Sequence, residues 1–143
     1  MSQKFYIGVG AILKKDNKVL LVRRSPNIYG GGLYSFPGGH VDGDEAVRHA
    51  LARELNEELG ITINPGEAEF VHVSHRKADG REYVHFLFVV HAWQGDIFNK
   101  EPDRHDEVAW FAMDQLPKSL TFDVAGGLQV YREKIYFSEL GWE

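Results

Sequence analysis

The sequence has no cysteine. That excludes disulfides and any zinc–thiolate centre, both of which need sulfur ligands. It fits a reducing compartment, and a cytoplasmic location is the expectation. No apolar run approaches the roughly 18 residues of a membrane-spanning helix, so a membrane is not an expected partner. The first fourteen residues, Met1 to Lys14, lack the basic start and long apolar run of a cleavable signal. Positive charge is also short: Lys and Arg number 16 against 21 Asp and Glu, for a net charge of −5. A chain of this sign is a poor general binder of nucleic acid polymers, whose phosphates are met by Lys and Arg. Phosphate binding, if present, has to be local and assisted by cations. There is no internal repeat and no linker, so the 143 residues are expected to form one domain, 1–143, with its own core.

What the chain does have is concentrated between Gly38 and Ile61, GGHVDGDEAVRHALARELNEELGI. Asp44 to Leu59 contains no Pro or Gly and is rich in Ala, Leu, Glu and Arg, which predicts a helix. Leu51, Leu55 and Leu59 repeat at i+4 and form the buried stripe. Asp42 with Glu45, or Asp44 alone, can cap its start, and Gly60 supplies the stop. Glu54, Glu57 and Glu58 then share one face, turned away from the leucines. Such a cluster is ordinarily a solvated acidic face. Here an extended, glycine-rich approach, Phe36-Pro37-Gly38-Gly39, feeds the helix, and like charges so arranged are relieved by a hard divalent cation with oxygen ligands. The Gly39 carbonyl can add one more oxygen. Arg53 is placed either to hold a carboxylate through a bidentate contact or to make an exposed i,i+4 pair with Glu57.

Counted from Gly39, five residues precede Glu45 and seven more precede Arg53-Glu54; Leu55, Asn56, Glu57-Glu58 and Leu59-Gly60-Ile61 follow. This spacing resembles the complete signature of the Nudix hydrolases. One departure is Asp44, where many members carry glycine before the first box glutamate. The resemblance implies an α+β fold: an α/β/α sandwich with a mixed, curved sheet between the box helix and a C-terminal helix. It implies hydrolysis of a nucleoside diphosphate linked to another group, with Mg²⁺ or Mn²⁺. Gly39, Glu54, Glu57 and Glu58 would hold the metal, joined by an acidic residue from a later loop: Glu101 first, Glu107 second. Glu54 is the first choice for general base and Glu101 the second. The run Asn99-Lys100-Glu101-Pro102 followed by Glu107 to Phe111 is similar to the branch that cleaves nucleoside triphosphates to monophosphate and pyrophosphate. ADP-ribose or dinucleoside polyphosphate hydrolysis is the rival. Subfamilies for those often carry a diagnostic Pro or Tyr beyond the box, and Arg76 to Gly80 has neither. A catalytically silent nucleotide sensor is the remaining alternative, though no box carboxylate is missing. The expected partner is a small-molecule nucleotide, and a homodimer is left open.

Around the box, Phe5 to Leu13 and Lys18 to Arg23 read as a hairpin of strands. Gly8 and Gly10 fall on one side of the first strand, leaving room either for a ligand or for close packing. Arg23 and Arg24 are candidate phosphate contacts, or solvated strand-end charges. Ser25 to Gly32 reads as a flexible loop, whose three successive glycines argue for mobility or for close approach to a substrate. Gly38 belongs to the same substrate-contact set, and Tyr34 or Phe36 can stack on a base or serve the core. Glu69 to His75 and Glu82 to Trp93 read as a second hairpin with its turn at Ala78 to Gly80. It carries His72, His75, His85 and His91. His72 and His85 can be simple cross-strand neighbours, and no Cys or Asp pattern supports zinc. Gln94 to His105 reads as a loop, and Asp123 to Leu140 as the last helix, weakened at its start by Gly126 and Gly127.

Overall fold

A computed structural model describes residues 4–142. In chain order the strands and helices are β1 (Phe5–Lys15), β2 (Lys18–Arg24), β3 (Tyr34–Ser35), β4 (Gly38–His40), α1 (Val47–Leu59), β5 (Glu69–Ala78), β6 (Arg81–Val90), β7 (His105–Ala112), α2 (Phe122–Glu133) and β8 (Phe137–Leu140). They build a mixed sheet in the order β3-β2-β1-β6-β5-β8, with β4 added to β1 and β7 to β2. Its spine is the parallel pair β1/β6, in register from Phe5 opposite Glu82 to Leu13 opposite Val90. The other edge of β1 is divided. Gly8 to Gly10 pair with the Gly38–His40 strand, and Lys14 and Lys15 pair with β2.

The alternation of strand side chains splits the core in two. Val9, Ala11 and Leu13 of β1, Leu20 and Val22 of β2, and Phe88 and Val90 of β6 pack with Leu51, Leu55 and Leu59 of α1. Ile12, Val19, Leu21, Leu87 and Val89 point the other way, toward Val124 and Leu128 of α2. The three α1 leucines are fully buried, so cutting any one to Ala would cost about 2–5 kcal/mol. The result is the expected sandwich of α1, sheet and α2. Among the described residues no helix is long and apolar enough to cross a membrane.

Several boundaries differ from the sequence expectation. Helix α1 begins at Val47, not Asp44, and its N-cap Ala46 makes no side-chain cap bond. Asp42 and Glu45 form a different device: the Asp42 N–H donates to Glu45 Oε1 at 2.9 Å, and Glu45 faces Arg53. Asp44 has φ 63°, a left-handed conformation that Gly adopts freely and Asp tolerates. The last helix stops at Glu133. Lys134 is left-handed, and Phe137–Leu140 form a strand parallel to β5. Gly126 and Gly127 lie inside the helix and do not delay its start. The Glu69–Ala78 strand is longer than expected, and its hairpin turns on Asp79 and Gly80, both at positive φ, as a two-residue loop requires. His72 lies opposite Leu87, and His85 opposite Ser74, so the two histidines are not direct neighbours. The segment 25–32 is a chain of turns, with Ile28 N–H on the Ser25 carbonyl, Gly31 N–H on Ile28 and Gly32 N–H on Arg24.

Candidate active site

The site is assembled where β4 runs between β1 and α1. Both glycines of β4 are enforced by contact. A Cβ on Gly38 would collide with the Val9 carbonyl, and one on Gly39 with the Glu54 carboxylate. The second collision carries more information: a carboxylate lies directly on the Gly39 backbone, in a cradle that any larger side chain would fill. The Gly38 N–H donates to Glu58 Oε2 at 2.9 Å.

Glu58 is not on an open acidic face. It is 4% exposed, while Glu57 remains on the surface. Burial pushes the Glu58 carboxyl up to about 9, reinforced by the charges of Glu54 and Glu101 and opposed by the Gly38 N–H. Glu54 is raised too, first by burial and then by Glu57 and Glu101, against the pull of Arg53. Burial and mutual repulsion outweigh the pull of Arg53 on Glu54 and of Arg104 on Glu58, so further positive charge would be favourable at these carboxylates. The donor set suits a divalent ion, since carboxylate oxygens are ligands that Mg²⁺ and Mn²⁺ take.

Arg53 organises the outer edge, and both expected roles are present in one side chain. Its Nε and Nη2 donate to the two oxygens of Glu45 at 3.1 and 2.8 Å. Nη1 reaches Glu54 Oε1 at 3.1 Å and Glu57 Oε2 at 3.2 Å, and Nη2 also reaches the His40 carbonyl at 3.0 Å. The guanidinium therefore ties the β4–α1 connection to the helix face. It holds the Glu45 carboxyl down at about 2, and Glu45 in turn raises Arg53 further.

Glu101 arrives on the loop after β6. That loop is pinned to the end of α1 by Phe98 N–H on the Leu59 carbonyl and Lys100 N–H on the Glu58 carbonyl. A tight turn follows, in which the Glu101 carbonyl accepts from the N–H groups of both Arg104 and His105. One donor atom each from Glu58, Glu101 and His105 lie within 4.8 Å of one another. His105 was missed by the sequence reading, which placed it at a loop end. The available signal was its position four residues after Glu101, the spacing of a single helical turn. Burial lowers its pKa to about 4. Glu107, the second choice for the loop carboxylate, lies elsewhere: it accepts from the Tyr34 hydroxyl at 2.9 Å and pairs with Arg23.

On the opposite face of the sheet a cavity of about 490 Å³ opens beside β4. Gly8, Gly10 and His85 form its floor, Phe36 and Asp123 line it, and Arg24 and Arg76 also border it. The paired glycines serve packing and ligand space at once, because the His85 ring lies over both positions. His85 is buried, and burial lowers its pKa. At the rim Arg76 stacks on Phe122 at 4.2 Å, and Tyr6 stacks on Tyr83. Tyr34 does not reach this cavity. Its ring is buried against Phe111, which corrects the expectation that it offers a face to a base; Phe36 does line the space. Arg23 is likewise engaged away from it, 2.7 Å from Asp106, leaving Arg24 as the cavity's arginine from that strand. Among the expected site residues the fold thus gathers Glu54, Glu57, Glu58, Glu101, Arg53, Gly38 and Gly39 at one side of β4, and Phe36 and Arg24 at the other.

A mixed sheet between two helices, a glycine strand and a carboxylate-bearing helix define a phosphoanhydride hydrolase of one architecture. Residues 4–132 match the family model described as "NUDIX domain", and the chain belongs to the Nudix family of pyrophosphohydrolases. It is 40% identical over 101 residues to the CTP pyrophosphohydrolase of Escherichia coli K12, covering 71% of this chain and 70% of that protein. It is 30% identical over 137 residues to the ADP-ribose pyrophosphatase of Methanocaldococcus jannaschii, covering 96% and 74%. The crystal structure of a MutT Nudix hydrolase from Burkholderia pseudomallei superposes with a TM-score of 0.81 at 35% identity, over 89% of this chain and 98% of that one. The protein is accordingly a hydrolase acting on nucleoside diphosphate-linked substrates.

Proposed function

We propose that the protein hydrolyses ribo- or deoxynucleoside triphosphates to the monophosphate and pyrophosphate, with Mg²⁺ and with Mn²⁺ as a substitute. The observation that carries this reading is the placement of a nucleoside-sized cavity and a buried carboxylate cluster on the two sides of one glycine strand. A nucleoside in the cavity sends its phosphates past Gly38 and Gly39 toward Glu54, Glu57, Glu58 and Glu101. The bond between α and β phosphates breaks, and water supplies the new oxygen.

A divalent cation, when bound, neutralises phosphate oxygens and makes a coordinated water more acidic. The other tasks fall to side chains. Glu58, Glu57 and Glu101, with the Gly39 carbonyl, would hold the ion. Glu54 accepts the proton of the attacking water. Burial raises its basicity, and Arg53 together with the Gly39 cradle fixes its direction, as general-base work requires. Phe36 offers an aromatic face to the base, and His85 and Asp123 supply polar groups at the inner wall. Arg24 is placed for phosphate.

The likeness to a CTP pyrophosphohydrolase supports the triphosphate reading. The likeness to an ADP-ribose pyrophosphatase, over more of the chain at lower identity, makes ADP-ribose the necessary competitor in any test. With Mg²⁺ present, kcat/KM is measured for ribo- and deoxynucleoside triphosphates, oxidised purine triphosphates, ADP-ribose and a dinucleoside polyphosphate. Pyrophosphate release from a triphosphate at the highest kcat/KM is expected. A much higher value for ADP-ribose would overturn the assignment.

A further inference from the structure

The residue that the function above leaves without a task is His105. It is 7% exposed. Its Nδ1 is buried with no hydrogen-bond partner, and its Nε2 stands 3.4 Å from Glu58 Oε1. Nε2 is the ring nitrogen turned toward the cluster, and the unpaired Nδ1 means that no protein hydrogen bond fixes the tautomer. The backbone at this point is firmly set. The His105 N–H donates to the Glu101 carbonyl, and the Asn99 side chain donates to the His105 carbonyl at 2.6 Å. The ring is therefore aimed by the same turn that aims Glu101, and both converge on Glu58.

The distances suit a common ion. Donor atoms around an octahedral cation with bonds near 2.1 Å stand about 3.0 Å apart when adjacent and about 4.2 Å when opposite. Here the Glu58–His105 approach is 3.4 Å and the whole group lies within 4.8 Å. The 4.8 Å bound exceeds the separation of about 4.2 Å for opposite ligands, so the donors have to draw together when the ion binds. We propose that a ring nitrogen of His105 is a ligand of the divalent cation held by Glu58 and Glu101, so that this ion has a mixed oxygen–nitrogen shell. Imidazole donors favour Mn²⁺ and later transition ions over Mg²⁺, which prefers oxygen. The site then selects Mn²⁺ more strongly than carboxylates alone would. This rests on the reading that the cluster binds metal, and the test separates the two.

The measurement is pulsed electron paramagnetic resonance on the full chain loaded with one equivalent of Mn²⁺, prepared with natural-abundance and with ¹⁵N-labelled histidine. Metal affinities of wild type and His105→Gln are measured by calorimetry. Expected are a directly coordinated nitrogen coupling that changes with the histidine isotope, its loss in His105→Gln, and a drop of about tenfold or more in Mn²⁺ affinity. Mg²⁺ affinity should fall by less. Bound Mn²⁺ without a histidine coupling would overturn the assignment and leave the metal reading standing. A coupling that persists in His105→Gln would overturn it in favour of another histidine. Absence of Mn²⁺ binding would overturn both. The isotope effect shows that one of the seven histidines is coordinated and the variant assigns it, so should His105→Gln fail to fold, His105→Asn is used for the assignment.

Discussion

Replacing Glu58 with Gln separates what this side chain does for the fold from what it does for catalysis. Gln keeps an oxygen to accept from the Gly38 N–H and the same helix propensity. It removes a buried carboxyl whose ionised form is disfavoured by desolvation and by Glu54 and Glu101. Without metal at neutral pH, the variant should be as stable as wild type or more so. With Mg²⁺, wild type gains RT ln(1 + [Mg²⁺]/Kd), about 2.7 kcal/mol at a hundredfold excess over Kd. In a domain near this size each kcal/mol moves Tm by about 2–4 °C, so wild type should rise by roughly 5–11 °C and the variant by clearly less. The rate should fall by at least about a hundredfold, equal to about 2.7 kcal/mol of transition-state stabilisation. The assay is thermal unfolding with and without Mg²⁺ beside kcat on the best triphosphate. A variant that melts well below wild type in EDTA, yet turns over at a near-normal rate, would make Glu58 a structural residue and refute the reasoning.

The pH dependence of the metal-free protein follows with a definite sign. The Glu58 pKa is raised to about 9 in the folded state, so its contribution is fully present below the unfolded value of about 4.5 and is lost as pH climbs toward 9. His105, lowered to about 4, opposes this only between about pH 4 and 6.5. Above pH 6.5 the Tm in EDTA should therefore fall with rising pH, and the Mg²⁺-induced gain should grow; a gain independent of pH from 6.5 to 9 would contradict it. Gly39→Ala should cut kcat sharply, because the new methyl occupies the place of the Glu54 carboxylate; kcat within twofold of wild type would show that Glu54 works from elsewhere. Glu45→Gln weakens the anchor of Arg53 without touching the cluster, so kcat should fall less than in Glu58→Gln, and an equal loss would count against the division of roles. Tyr34→Phe should cost about 0.5–1.5 kcal/mol through the lost bond to Glu107 and leave KM unchanged; a several-fold rise in KM would restore Tyr34 to the substrate site.

The body of α1 was readable because Leu51, Leu55 and Leu59 repeat with the helix and nothing interrupts them. Its start was not, because the acidic residues that resemble a cap are committed elsewhere. Glu45 is held by Arg53, eight residues on, a contact that local spacing does not display. The end of the chain was misjudged for a tertiary reason. Ile135 to Leu140 carries no helix breaker, yet the free edge of β5 takes Phe137–Leu140 as a strand, and sheet pairing outweighs weak helix preference. The carboxylates of the box were legible as a group. The burial of Glu58 was not, since it depends on β4 and the 98–105 loop closing over the helix. Tyr34 beside an aromatic-proline run looks available, but its ring packs against Phe111 and its hydroxyl is taken by Glu107. Gly8 and Gly10 announced room on one face; that His85 would occupy it required the parallel register of β1 with β6.

The strand of two glycines has an evolutionary consequence. On the proposed function, cleavage is arranged on the α1 face and the nucleoside is received on the α2 face, so mutations would reach the two separately. A change at Phe36, His85 or Asp123 would then alter which base is welcomed while Glu54, Glu57, Glu58 and Glu101 keep their neighbours. Selection could thus retune diet without rebuilding the hydrolytic engine, one substitution at a time. Gly38 and Gly39, which touch both compartments, would be denied that freedom.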